Sequence, residues 1–128
     1  NIHHMLYSAS ESLLVTISEY ASSILIWDLK IVSTSIVAGG LKSKATVKIQ
    51  DCQVKCTVEN PFGQICTSMA MLSKKNGGRE TLVIVGDDTG NIFIVDIVLG
   101  KSVATKAGAN DSQVLKVVSL YKNCSQKY

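Results

Sequence analysis

The sequence is poor in charge: only 18% of its 128 residues are Asp, Glu, Lys or Arg, and 13 basic against 10 acidic side chains leave a formal net charge of +3. Disorder requires low hydrophobicity and high net charge, so a chain that is 46% hydrophobic falls outside that class. Long apolar runs are also missing. None approaches the ~18–20 residues of a membrane-spanning helix, which excludes that reading. Cysteine is scarce: Cys52, Cys56, Cys66 and Cys124 are too few and too unevenly spaced for a small disulfide scaffold, and they favour a reducing, intracellular compartment, cytoplasm or nucleus. Aromatics make up 5% and do not alternate with the basic residues, so stacking platforms for single-stranded nucleic acid are absent. The chain opens on Asn1 without a charged-then-apolar leader and is expected to be a piece of something longer.

What is present is strand pattern. Residues 13–18 and 23–28 are short, rich in β-branched residues and separated by Glu19-Tyr20-Ala21-Ser22, the signature of a hairpin. A second hairpin, residues 81–86 and 91–97, turns through Asp87-Asp88-Thr89-Gly90, where Gly90 supplies the positive φ of a tight loop. Period-2 alternation places Leu82, Ile84, Ile92 and Ile94 on one face and Val83, Val85, Phe93 and Val95 on the other. In the first hairpin, Val15, Ile17, Ile24 and Ile26 oppose Leu14, Leu25 and Trp27. An antiparallel sheet covering a single core shows a polar outer face; sheets apolar on both faces need neighbours on both sides, as in stacked or radial repeats.

The hairpins also repeat. Leu14-Val15-Thr16-Ile17-Ser18, a turn, and Ile24-Leu25-Ile26-Trp27-Asp28-Leu29 align with Leu82-Val83-Ile84-Val85-Gly86, a turn, and Ile92-Phe93-Ile94-Val95-Asp96-Ile97. Each pair has a candidate strand before it (2–8, 65–72) and another after it (33–38, 101–105), giving four antiparallel strands per unit. Such units resemble WD-repeat β-propeller blades. Ile26-Trp27-Asp28 matches the strand that ends in Trp-Asp, and Asp87 to Asp96 matches the hairpin, with Val95 in the Trp position. Gly108-Ala109-Asn110-Asp111-Ser112-Gln113-Val114 is similar to the Gly-His segment that leads into a next blade, with Ala109 in place of His. The turn Asp of the family is replaced by Ala21 and Thr89, so its polar tether is incomplete, although Thr16 or Ser18 is placed to meet the Trp27 indole.

The resemblance implies an all-β fold, a partial propeller of four-stranded antiparallel blades: a blade over 1–43, an inserted hairpin or degenerate blade over 44–62, a blade over 63–107 and the first strand of a further blade over 108–128. The middle segment is needed because 68 positions separate Trp27 from Val95, against ~40–45 per WD repeat. A closed ring takes at least ~4 blades, more than this chain holds, so other segments or chains must complete it. Trp27, Asp28, Asp96 and Gly90 are the expected structural residues. Trp27 is expected in the stack between units and Asp87 on the surface. Lys74, Lys75 and Arg79, in the basic loop 73–80, are the candidate partner contacts.

Constellations for chemistry are thin. Cys52 and Cys56 offer two thiolates where zinc takes four ligands, and alternate positions of one strand explain them as packing. Leu99-Gly100-Lys101-Ser102 ends like a phosphate-binding loop, yet its first glycine is Val95 and no helix pattern follows. His3 and His4 are adjacent on one strand and point to opposite faces, which precludes a triad with the nearby serines. Asp87 and Asp88 read first as turn formers, not as ligands. Asn110 and Asn123 head glycosylation tripeptides in form only. The expected function is therefore a non-catalytic protein–protein interaction scaffold without cofactor, metal or small-molecule substrate. Its expected partners are other proteins or other segments of the same propeller, not membrane or nucleic acid. The alternatives are an architectural fragment completing a propeller across chains, or a fragment of a propeller enzyme.

Overall fold

A computed structural model describes residues 1–38, 42–72 and 78–108, with only the backbone course described at 32–38 and 42–47. It is all-β, and no helix occurs among the described residues. Strands β1 (Ile2–Ser8), β2 (Leu13–Ser18), β3 (Ser23–Ala38) and β4 (Lys42–Glu59) form one antiparallel sheet in sequence order. Strands β5 (Cys66–Leu72), β6 (Leu82–Asp87), β7 (Ile92–Asp96) and β8 (Lys101–Lys106) form a second. The expected first, second and third strands of each unit are thus observed, as is the fourth strand of the second unit. The final segment, 109–128, with the expected strand 114–121, lies outside the described residues.

The fourth strand of the first sheet differs from expectation. Residues 33–38 do not turn back to close the sheet; β3 runs straight on and pairs with β4 from Ile31↔Ile49 to Ala38↔Lys42. The sheet is closed instead by the far half of β4, where Val54 pairs with Trp27 and Val58 with Ile24. The segment expected as a separate hairpin is one side of a two-stranded ribbon extending β3 and β4 past Asp28, the last residue that β2 reaches. The long interval between Trp27 and Val95 therefore reflects an elongated hairpin inside the first sheet.

Register makes the repeat more exact than sequence alignment does. Across the first sheet run the rows Met5–Thr16–Leu25–Thr57 and Tyr7–Leu14–Trp27–Val54; across the second, Met69–Val85–Phe93–Thr105 and Met71–Val83–Val95–Ser102. Irregularities fall at matching places, between Ile26 and Trp27 and between Ile94 and Val95, and again between Ile2 and His4 and between Cys66 and Ser68. Leu14 is therefore equivalent to Val83, not to Leu82. The aligned residues slip by one because the first hairpin's connection is one residue longer, with Tyr20 at φ 61° in it.

The second sheet is buried on both faces along the predicted alternation, and the first on one. The main core lies between the sheets: Val15, Ile17, Ile24, Ile26 and Val58 of the first against Val83, Val85, Phe93 and Val95 of the second, all at most 5% exposed. Met69 and Met71 pack onto it, and β5 lies alongside β1 and β2. On its far side the second sheet buries another cluster, Leu72, Ile84, Ile92 and Ile94. Translated by register, the two faces in contact are unlike. The first sheet offers the row Leu6–Val15–Ile26–Cys56, whose counterpart in the second sheet is the far-side row Ala70–Ile84–Ile94–Ala104.

Trp27 is not in the core between the sheets. It stands half-buried on the opposite face of the first sheet, where its indole Nε1 donates to Thr16 Oγ1 at 2.9 Å. The even–odd rule placed it on that face; what it did not show is that the second sheet covers the other one. Phe93, fully buried between the sheets, carries the larger packing role. Phe93→Ala is expected to cost ~3–5 kcal/mol as a buried aromatic truncation. Trp27→Ala should cost less, about 1–3 kcal/mol, because part of its ring stays in water and one hydrogen bond is lost. Urea denaturation of both variants checks the order.

Candidate functional site

Polar residues collect at the connections, where they tie the sheets together. Asp87, at the end of β6, is buried at 7% exposure. Its Oδ1 accepts from Thr89 N (3.0 Å), Thr89 Oγ1 (3.0 Å) and Asn91 N (2.9 Å), and its Oδ2 from Asn91 Nδ2 (3.1 Å) and Asn60 Nδ2 (3.1 Å). Asn60 belongs to the connection between the sheets; its Nδ2 also donates to Gln64 O at 2.8 Å, and its Oδ1 accepts from Phe62 N at 2.9 Å. Asn91 Oδ1 accepts from Gly108 N at 2.9 Å. A residue expected to be a surface turn former thus holds its own turn and the connection between the sheets through one carboxylate, and Asn60 carries no local signal of this because its partner lies 27 positions away.

Burial works against ionisation of Asp87, but the bonds from Asn60, Asn91 and Thr89 outweigh it and hold the carboxyl below its ordinary value. Beside it, Cys66 is buried at 2% exposure. Burial first, and then the carboxylates of Asp87, Glu59 and Asp88, push its thiol up to about 11. A thiol held protonated is a poor nucleophile and a poor metal ligand. No three His, Cys, Asp or Glu side chains converge in a metal-binding geometry among the described residues.

A second tether joins the β1–β2 turn to the segment before β6. Ser8 Oγ, fully buried, donates to Glu80 O at 2.7 Å, while Glu80 N donates to Ser10 Oγ at 2.8 Å. Arg79 pairs with both carboxylate oxygens of Glu11, its Nε 3.1 Å from Oε2. The Arg79 guanidinium holds the Glu11 carboxyl below its usual value. Arg79 thus meets the first sheet through Glu11 while its side chain stays 67% exposed. Lys74 and Lys75, the other expected contacts, lie outside the described residues.

The remaining sequence candidates act locally. Asp96 Oδ1 accepts from Val98 N and Leu99 N, both at 3.0 Å, and so fixes the turn into β8. Gly100 closes that turn at φ 72°, its N donating to Asp96 O at 2.8 Å; a Cβ there would meet Cys56 Sγ at 2.8 Å. That geometry accounts for the glycine as a turn residue packed against β4. Gly90 has φ 82°, as the hairpin pattern requires. Asp28 is exposed and lines an open groove with Glu11, Lys30, Asp51 and Gln53 where the ribbon leaves the sheet.

What converges here is structural polarity, and what stays open is the Trp27 face. Met5, Tyr7 and Val54 on it are 58%, 40% and 50% exposed. Between them Thr16 is 1% exposed and Leu14, Leu25 and Trp27 are partly covered.

Asp87 gives a pH prediction. Its carboxyl is depressed in the folded state, so its contribution is complete above the ordinary value of 3.8 and is lost as pH falls through the lower folded value. Asp87→Asn should cost about 1–3 kcal/mol near neutrality. The gap from the parent should narrow at an acid pH below that lower folded value, where both side chains are neutral. Denaturant titrations at the two pH values measure it. Compared with protein-family models, curated proteins and solved structures, the chain matches none of them.

Proposed function

We propose that the chain is a segment of a WD-repeat-like β-propeller that serves as a non-catalytic protein–protein interaction scaffold within a larger protein or complex. The observation that carries this reading is the packing of two register-equivalent four-stranded sheets through unlike faces. Successive blades of a propeller share one orientation, so the front of one meets the back of the next. A sandwich of two sheets related by a two-fold axis would bring like faces together. The resemblance of Ile26-Trp27-Asp28 to the blade motif, and the Trp27–Thr16 hydrogen bond, support the same reading.

The polar clusters around Asp87 and Glu11 spend their hydrogen-bonding capacity on holding connections, which favours a rigid platform over a reaction centre. Partners in this reading are other proteins or other segments of the same propeller, and they meet the chain through its uncharged open face.

Replacing Tyr7 with Glu and Val54 with Lys tests the scaffold role. Both positions are exposed, so the unfolding free energy should change by less than ~1 kcal/mol and the circular dichroism should keep its β signature. Native mass spectrometry of the chain isolated with its assembly should show a stoichiometric protein partner that the double variant loses. An assembly unchanged by both charges would contradict the scaffold reading.

A further inference from the structure

β2 pairs with β3 only as far as Asp28, and the turn before β2 adds a last bond, Leu29 N donating to Ser12 O at 3.1 Å. Beyond that point β3 pairs with β4 on one side, and among the described residues no strand pairs with its other side as far as Ala38. The vacated stretch is Ile31-Val32-Ser33-Thr34-Ser35-Ile36-Val37, made of β-branched residues and serines without charge, glycine or proline. A strand of that composition with an open edge is a template for another strand unless charge guards it. The facing stretch of β4 is guarded, with Lys42, Lys44 and Lys48 at its register positions. The β3 edge is not.

The vacated stretch reads the same in residue type from either end. About Thr34, Ser33 mirrors Ser35, Val32 mirrors Ile36 and Ile31 mirrors Val37. We infer that this edge of β3 is an isologous dimer contact, at which two copies of the chain pair antiparallel about a two-fold axis through Thr34. Serine is then paired with serine, threonine with threonine and β-branched aliphatic with β-branched aliphatic, and Lys30 is opposite Ala38 of the other copy instead of a like charge.

Backbone polarity agrees with that register. Leu29 directs its N–H to the vacated side, and β3 keeps its alternation past it because the extra residue at the irregularity, Gln50, belongs to β4. Ile31, Ser33, Ser35 and Val37 therefore offer their N–H and C=O groups at the open edge. The two-fold pairs these residues with one another, Ser33 with Ser35 and Ile31 with Val37, and leaves Thr34 as the central pair without hydrogen bonds, its two α-carbons about 4.5 Å apart. Charge agrees as well. Antiparallel pairing lays the tip of each ribbon beside the base of the other; the base groove is lined by Asp28, Asp51, Lys30 and Glu11, the last paired with Arg79, and the tip carries Lys42 and Lys44. The contact consumes the unguarded edge of both copies, so assembly stops at two.

The ribbon lies beyond the rows that carry the propeller-segment reading, so the dimer contact stands or falls without it. Sedimentation equilibrium of the 128-residue chain should show a monomer–dimer equilibrium with no larger species. Thr34→Lys or Thr34→Glu alone sets like charges opposite each other and should weaken dimerisation ~10-fold or more, with Trp27 emission unchanged. Mixing the two variants should restore the dimer, because position 34 pairs with itself. In a mixture of isotope-labelled and unlabelled parent chain, a filtered nuclear Overhauser effect between the Thr34 Hα atoms of the two copies is expected, and it reads the register without any substitution. A parent chain that stays monomeric at all concentrations, assembly that grows past two copies, or dimers lacking the Thr34 contact would overturn the inference. So would dimers that Val54→Lys dissolves and Thr34→Lys leaves intact, which would place self-association on the Trp27 face.

Discussion

The apposition of two unlike apolar sheet faces is the interaction on which the rest of the structure depends. A four-stranded sheet with apolar side chains on both faces has no stable existence in water, and each of these sheets meets half of that requirement through the other. Val15, Ile17, Ile24 and Ile26 form one surface and Val83, Val85, Phe93 and Val95 the other, with almost no exposed area left between them. Such interiors pack at crystal-like density, so the contact fixes a relative orientation as well as a gain in free energy. The polar tethers then lock that orientation at the connections. Asn60 to Asp87 spans from the link between the sheets to the second hairpin, and Glu11 with Ser8 and Ser10 spans from the first hairpin to residues 79–80.

The same contact leaves the first sheet with one face covered and one facing outward. With the aliphatic face of the first sheet covered and its polar connections occupied, Trp27 and its neighbours are what this sheet presents to its surroundings. A face on which Met, Tyr, Leu, Trp and Val outnumber the two threonines Thr16 and Thr57 is costly to leave in water. The ribbon of β3 and β4 carries Ile31 and Ile49, and among the described residues no strand pairs with its outer edges past Asp28.

Much of this arrangement is legible in the amino acids, because alternation is a local signal. Leu82, Ile84, Ile92 and Ile94 against Val83, Val85, Phe93 and Val95 is the division that the structure shows, and Gly90 at φ 82° is the turn residue its loop demanded. The features that escaped reading are those set by distant partners or by loop length. One additional residue between Thr16 and Leu25 shifts the repeat alignment without disturbing either strand's pattern. Residues 33–38 carry strand propensity whether they turn back or run on, and only the pairing with 42–47 decides. Asp87 has the sequence of a surface turn, and its burial comes from Asn60, far off in the chain. Which face of the Trp27 hairpin is covered depends on where the second sheet lies, and alternation has no term for that.

Solution NMR of the intact chain with labelled Val, Leu, Ile and Phe groups tests the unlike-face contact most directly. Nuclear Overhauser effects are predicted between the Phe93 ring or the Val85 methyls and the methyls of Val15, Ile17, Ile24 or Ile26. Contacts from Phe93 or Val85 to Leu14 or Leu25 instead would place the Trp27 face inside, and would contradict both the packing of the sheets and the proposal of an interaction surface built on it.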